Sequence, residues 1–222
     1  MLAVLYDIHG NTAALDEVLA EAAEAGADRY LLGGDYGTPS PAPLETLERL
    51  RALPNATWIR GNGERWLREP PVDRPEITEV YEHFSGQVPE DVVEWLYRLP
   101  ERVELDGVLY VHGSPLADDD SFAPEPQEGE ERLLAGEHDR TIVFGHSHQQ
   151  FRRPGPRNTD LVNPGSVGMP LDGDIRAAWA TWDGDFEFRR TEYDVERAAA
   201  AYRSMGGPFG EMAAGRILRG SD

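Results

Sequence analysis

The sequence predicts an α/β fold built around a parallel sheet, and two observations predict it. Apolar runs of strand length alternate with helical patterns between residues 3 and 59. Polar residues gather just after those runs, on glycine-rich turns, where an open α/β sheet binds its ligands.

The elements follow in order. "AVLY" (3–6) reads as a buried strand. Asn11 to Ala25 carries Leu15, Val18, Leu19 and Ala22 at helical spacing and stops at Gly26. "RYLL" (29–32) is a second strand, closed by Gly33 and Gly34. Leu44, Leu47 and Leu50 mark a helix over 43–53, and "ATWI" (56–59) is a third strand. Residues 65–100 change character. Pro70, Pro71, Pro75 and Pro89 break up short helical pieces such as 76–84 and 89–98, which predicts a small helical excursion from the sheet. "GVLYVHG" (107–113) returns to strand, and the acidic, proline-broken 117–131 is an exposed loop. "TIVF" (141–144) is a further strand. "QFRR", "DLVN", "RAAWATW" and "DFEFRRTEY" then form a mostly antiparallel run. Residues 194–219 are two helices divided by Gly206-Gly207-Pro208. With no internal repeat and no long linker, 1–222 is expected to be a single domain.

Composition narrows the function classes. There is no cysteine, so any metal must be held by His, Asp, Glu or Asn. The 41 acidic and 21 basic residues give a net charge of −20, and every basic residue is arginine. Such a surface repels polyanions and argues against general nucleic-acid binding. An anionic substrate would need local positive charge, which bound cations supply. No apolar run approaches the ~20 residues of a membrane span. "MLAVLYDIHGN" lacks a basic stretch and meets charge at Asp7, so no signal peptide and a cytoplasmic location are expected.

The strand ends carry the chemistry. "YDIHGN" brings Asp7, His9 and Asn11, "GGDYG" brings Asp35, and "RGNGE" brings Asn62 and Glu64. "YVHGS" brings His112, and "FGHSH" brings His146 and His148. Singly, each is ordinary turn chemistry. Together, five turns place nitrogen and oxygen donors at corresponding positions, leaving His83 and His138 as surface histidines. Three Asp/Asn oxygens with four imidazoles exceed one tetrahedral zinc and suit two neighbouring divalent ions sharing a carboxylate. Donors of this kind favour manganese, placed first, or iron, zinc, nickel or cobalt. Metal pairs roughly 3.5–4 Å apart are a standard device for phosphoester hydrolysis.

In this order, "DIHGN", "GGDYG", "GNGE", "VHGSP" and "GHSH" resemble the calcineurin-like metallophosphoesterases. "NPGSVGMP" (163–170), "WLYRLPERVEL" and "RRTEYDVERAA" extend the resemblance over nearly the whole chain, toward a small bacterial branch of predicted phosphodiesterases. The resemblance implies a two-sheet α-β-β-α sandwich. It implies that Asp7, His9 and His148 bind one metal, that Asn62, His112 and His146 bind the other, and that Asp35 bridges both. Asp35, Asn62 and His112 would fix the metal that polarises the phosphate, with a metal-bridging hydroxide attacking phosphorus in line. Asn11 would lie near the phosphate, and Arg60 and Arg65 are further candidate substrate contacts. The expected substrate is a small phosphodiester. The alternatives are a phosphomonoester or nucleotide pyrophosphate cut at the same site, or a non-catalytic metal-binding scaffold.

One departure stands out. "GNGE" has Gly63 where the family motif usually has a histidine that assists the leaving group, so that assistance is in question. A histidine restored at 63 is expected to favour alkyl esters, provided the turn accepts a Cβ.

Overall fold

Leu2–Leu5, β1, is buried along its whole length because it is covered on both faces. In the computed structural model, which describes residues 1–222 apart from the side chain of Ser85, β1 lies at the centre of the first of two sheets. It pairs in parallel with β2 (Arg29–Leu32), which pairs in parallel with β3 (Ala56–Trp58). On its other side runs β9 (Ala177–Trp182), antiparallel, followed by β10 (Phe186–Thr191). The order is β10-β9-β1-β2-β3. The second sheet runs β4 (Arg102–Leu105), β5 (Val108–Val111), β6 (Thr141–Val143), β8 (Thr159–Pro164), β7 (Gln150–Gly155). Its three inner strands are parallel and its two edges are antiparallel hairpin partners.

Strand alternation makes this a sandwich. Leu2, Val4 and Tyr6 turn inward with Leu31, Val108, Tyr110, Val143 and Val162 to fill the space between the sheets. Ala3 and Leu5 turn outward onto α1 (Thr12–Glu24), α2 (Pro43–Arg51) and α5 (Glu90–Tyr97), through Leu15, Leu47, Leu50, Val93 and Leu96. A C-terminal pair, α6 (Val195–Ser204) and α7 (Gly207–Arg219), packs beside α1. The far face of the second sheet is covered more thinly, by Phe122, Leu133 and Leu134 from the 117–134 segment and its short 3-10 helix, Glu130–Leu134.

The expected sandwich is observed, with local differences. β4 was not anticipated. Its signal is Asp106-Gly107, whose positive φ values (53° and 79°) form a tight hairpin turn, so β5 starts at Val108 rather than 107. The five-residue α3 (Asn62–Trp66) is also new. Within the helical excursion, α4 (Pro75–Ser85) and α5 both reach the helix-side core, α4 through Tyr81 and α5 through Val93 and Leu96. The 117–131 loop is anchored rather than free: Arg153 forms a doubly hydrogen-bonded, buried pair with Glu130 (2.6 and 3.0 Å). Among the described residues no helix is long and apolar enough to cross a membrane.

The inter-sheet layer has to be filled for both sheets to hold their loops in place. Leu31→Ala, at a fully buried position, should destabilise the fold by about 2–5 kcal/mol. Leu116→Ala, half exposed, should stay within about 0.5 kcal/mol of the parent. Urea denaturation midpoints of the two variants measure this, and similar midpoints would contradict the layer assignment.

Candidate metal centre

The carboxyl ends of β1, β2, β3, β5 and β6 open toward one another, and the loops leaving them carry the predicted residues. Asp7, His9, Asp35, His146 and His148 all have left-handed backbone, with φ between 49° and 64°. That conformation costs a residue with a Cβ roughly 1–3 kcal/mol. Five such residues at one end of the sandwich mark a site where the chain turns sharply to aim side chains inward. Asp7 and His9 both face the site, while Ile8 between them is fully buried in the helix-side core.

The seven predicted metal ligands converge. His9 Nε2 lies 3.0 Å from His148 Nε2, and Asp7 Oδ1 is 3.9 and 3.6 Å from these two nitrogens. On the other side, Asn62 Oδ1 is 3.0 Å from His112 Nε2 and 2.8 Å from His146 Nδ1. Asp35 faces both groups with one oxygen each: Oδ2 is 3.8 Å from His9 Nε2 and Oδ1 is 3.5 Å from His112 Nε2. Asp7 Oδ1 is also 3.8 Å from His112 Nε2, so Asp7 lies nearer the second group than the motif pattern alone suggests.

Backbone carbonyls orient two of the imidazoles. His112 Nδ1 donates to Gly33 O (2.8 Å) and His148 Nδ1 donates to Met169 O (2.7 Å), which aims each Nε2 at the cluster. This is the usual support for a metal-ligating histidine.

Charge in this largely buried site is unbalanced. Burial and the charge of Asp35 push the Asp7 carboxyl up to about 8, against the pull of His112. Burial also works against Asp35, but His112, His9 and the Gly63 N–H (2.7 Å) hold it below the usual carboxylate range. Burial disfavours charge on His112, yet Asp35 and Asp7 raise it to about 10. His9 and His148 are lowered, chiefly by burial. The Oδ1 atom of Asp7 is buried with no hydrogen-bond donor. A fully buried carboxylate oxygen without a donor is costly, and cations between these donors would satisfy it. The residues present therefore fit divalent metal.

Glu64 was noted in the sequence but given no role. Its fully buried carboxylate accepts the N–H groups of Asp35 (2.9 Å), Tyr36 (2.8 Å) and Gly61 (2.8 Å), tying the second and third loops together. Burial and the Asp35 charge raise it to about 7. Ser166, within "NPGSVGMP", donates to Asp7 O (2.7 Å), and Asn163 donates to Gly145 O (3.1 Å). Tyr202 donates its hydroxyl to His9 O. It sits in an ordinary amphipathic helix, where the sequence carries no signal for that contact.

The other candidates are placed differently. Asn11 caps α1, accepting from Ala14 N (3.1 Å) and donating to Gly168 O (2.8 Å). Arg60 and Arg65 line a cavity that shares His112 as a wall. Arg60 is paired with Glu101, and Arg65 is gripped by Asp118 through two bonds, 2.8 and 2.5 Å. At Gly63 the backbone φ is not left-handed, but a Cβ would lie 2.8 Å from Asp35 Oδ1. The obstacle to a histidine there is therefore the Asp35 carboxylate, not the turn.

The buried histidines give the metal-free protein an acid limit. Burial holds His146 neutral down to about 4, whereas its ordinary value is 6.5. Between those values the unfolded chain binds the extra proton, so the fold loses stability as pH falls from 6.5 toward 4. In chelator-treated protein, His146→Asn should show a smaller drop in Tm over that interval than the parent. Calorimetry at several pH values tests it, and parallel Tm profiles would show that His146 is not depressed.

The chain has relatives in sequence and in fold. Residues 1–185 match the calcineurin-like phosphoesterase superfamily domain. The chain is 26% identical over 227 aligned positions to the uncharacterized protein MJ0912 of Methanocaldococcus jannaschii, covering 89% of this chain and 90% of that protein. The fold is similar to a crystal structure of a metallophosphoesterase from Sphaerobacter thermophilus (TM-score 0.78, 24% identity, 99% of both chains covered). It is likewise similar to hypothetical protein PH1004 from Pyrococcus horikoshii OT3 (TM-score 0.82, 21% identity, 100% of both chains covered). With its motifs gathered at one end of a two-sheet sandwich, the chain belongs to the calcineurin-like phosphoesterase superfamily.

Proposed function

We propose that the chain is a phosphodiesterase working with two divalent cations, manganese first among them. The observation that carries this reading is Asp35, whose two oxygens face two separate groups of donors. Asp7, His9 and His148 would hold one cation and Asn62, His112 and His146 the other, with Asp35 shared. When bound, the cations supply Lewis-acid polarisation of the phosphoryl oxygens and a lowered pKa for the attacking water.

The chain's own residues do the rest. Gly33 O and Met169 O hold His112 and His148 in fixed orientation. Glu64 fixes the loops bearing Asp35 and Asn62 through three backbone N–H groups. Asp35, Asn62 and His112 are thereby held as a rigid unit on the side where the phosphate is polarised. Arg60 and Arg65 would contact the substrate from the adjoining cavity, and Asn11 would set the loop beneath the phosphate. Both arginines are already paired with carboxylates, so neither is free to neutralise a second phosphate charge. That favours a singly charged diester over a doubly charged monoester.

Three measurements bear on this reading. Hydrolysis of bis(4-nitrophenyl) phosphate should depend on added Mn²⁺ and exceed hydrolysis of 4-nitrophenyl phosphate; metal uptake without turnover of either ester would favour the scaffold alternative. Elemental analysis should find metal reduced at both positions in Asp35→Ala but chiefly at one in His148→Ala. A full complement in Asp35→Ala would rule out a shared carboxylate.

The third concerns the leaving group. Position 63 offers no side-chain proton donor, and a positioned acid is typically worth about 10²–10⁴-fold when the leaving oxygen needs a proton. Aryl diesters should therefore be cleaved much faster than alkyl diesters. Gly63→His should lower metal content by displacing Asp35, in place of the gain on alkyl esters that the motif comparison suggests. Comparable kcat/KM for alkyl and aryl diesters in the parent would reveal a proton donor elsewhere.

A further inference from the structure

A cavity of about 300 Å³ opens beside the cluster and shares His112 with it. Its wall carries Arg60, Arg65 and Arg102, which by themselves suggest an anion site. The pairing shows otherwise. Arg65 Nε and Nη2 bind the two oxygens of Asp118 at 2.8 and 2.5 Å, with Asp119 a further 3.3 Å contact. Arg60 Nη2 lies 2.5 Å from Glu101, and Arg102 Nη2 lies 2.5 Å from Glu137. Glu101, Asp118 and Asp119 line the same cavity, so three cations in its wall face three anions.

Introducing another phosphate here would mean pulling Arg65 from Asp118 and leaving a largely shielded carboxylate, 14% exposed, facing the incoming charge. A neutral group disturbs none of the pairs. Pro115 and the half-exposed Leu116 offer it an apolar rim.

We propose that this cavity binds the neutral second ester substituent of a phosphodiester, and that the Asp118 grip on Arg65 excludes substrates with a further phosphate there. This rests on the phosphodiesterase reading and adds the class of group carried on the second ester oxygen: an uncharged aryl, alkyl or nucleoside moiety. Asp118 acts by positioning Arg65, not by touching the reacting phosphorus.

The test is calorimetric binding to the Mn²⁺-loaded full chain. Two non-hydrolysable probes are used: diphenylphosphinate, singly charged with two neutral rings, and methylenediphosphonate, which carries a second phosphorus. Asp118→Asn removes the two-bond grip, leaving Arg65 only its 3.3 Å Asp119 contact, and should raise affinity for methylenediphosphonate about tenfold, the worth of one charge-assisted hydrogen bond. Affinity for diphenylphosphinate should stay within about twofold. Leu116→Asp, at an exposed position that leaves the fold intact, should weaken diphenylphosphinate several-fold. An equal change for both probes in Asp118→Asn, or none, would overturn the proposal, as would indifference of diphenylphosphinate to Leu116→Asp. If the probes behave as expected but no diester is turned over, the subsite stands and the catalytic reading falls.

Discussion

The structure turns on one electrostatic constraint: two buried carboxylates share a site with four imidazoles, and the chain's own donors leave one carboxylate oxygen, Asp7 Oδ1, without a partner. Asp7 Oδ1 has no hydrogen-bond donor, and His112 is drawn toward the charged state by both carboxylates. A fold that gathers such a cluster must restrain it from outside. Glu64 does so with three backbone N–H groups, Ser166 through the Asp7 carbonyl and Tyr202 through the His9 carbonyl. The left-handed backbone at five of the predicted ligand positions is the local expression of the same demand. Side chains at alternate positions must face one point, and the two packed sheets supply the rigidity that holds the strain in place.

Much of this was legible in the sequence, for a physical reason. A parallel sheet covered on both faces needs uninterrupted apolar strands, so "AVLY", "RYLL" and "TIVF" announce themselves. Ligand positions follow them directly, because a strand end is where a side chain leaves the apolar layer. What escaped notice lacked such a contrast. The four-residue β4 is half exposed at a sheet edge, and only its Asp106-Gly107 turn marks it. The excursion was predicted from its prolines, but proline content does not show that both of its long helices reach the core, α4 through Tyr81 and α5 through Val93 and Leu96. Tyr202 reaches His9 across 193 positions of sequence, and no local pattern encodes such a contact.

Charge explains why the arginines read differently in sequence and in space. In a chain of net charge −20, an arginine beside a motif is conspicuous and suggests phosphate. The excess of carboxylates also means that Arg60 and Arg65, beside the site, each meet a carboxylate partner first. Arg65 lies next to Asp118 and Asp119, two residues of an acidic run that the sequence presents only as a loop. On the proposed reading, the positive charge for an anionic substrate would come from cations held by the cluster rather than from arginine side chains, and the neighbouring cavity would stay balanced.

Gly63 belongs to the same economy of space. A side chain there would begin 2.8 Å from Asp35 Oδ1, and one at Gly61 would begin 2.3 Å from it. Both glycines let the third loop close directly onto Asp35, and the Gly63 N–H donates to that carboxylate. The close approach sharpens the orientation of the residue on which both donor groups depend, and it removes the position from which a histidine would protonate the leaving oxygen. A site built this way gains a firmly held carboxylate at the expense of a built-in acid. On the proposed reading, its reach would be set by the ester: leaving groups stable as anions would suit it, and alkoxides would need a proton from the substrate itself or from water.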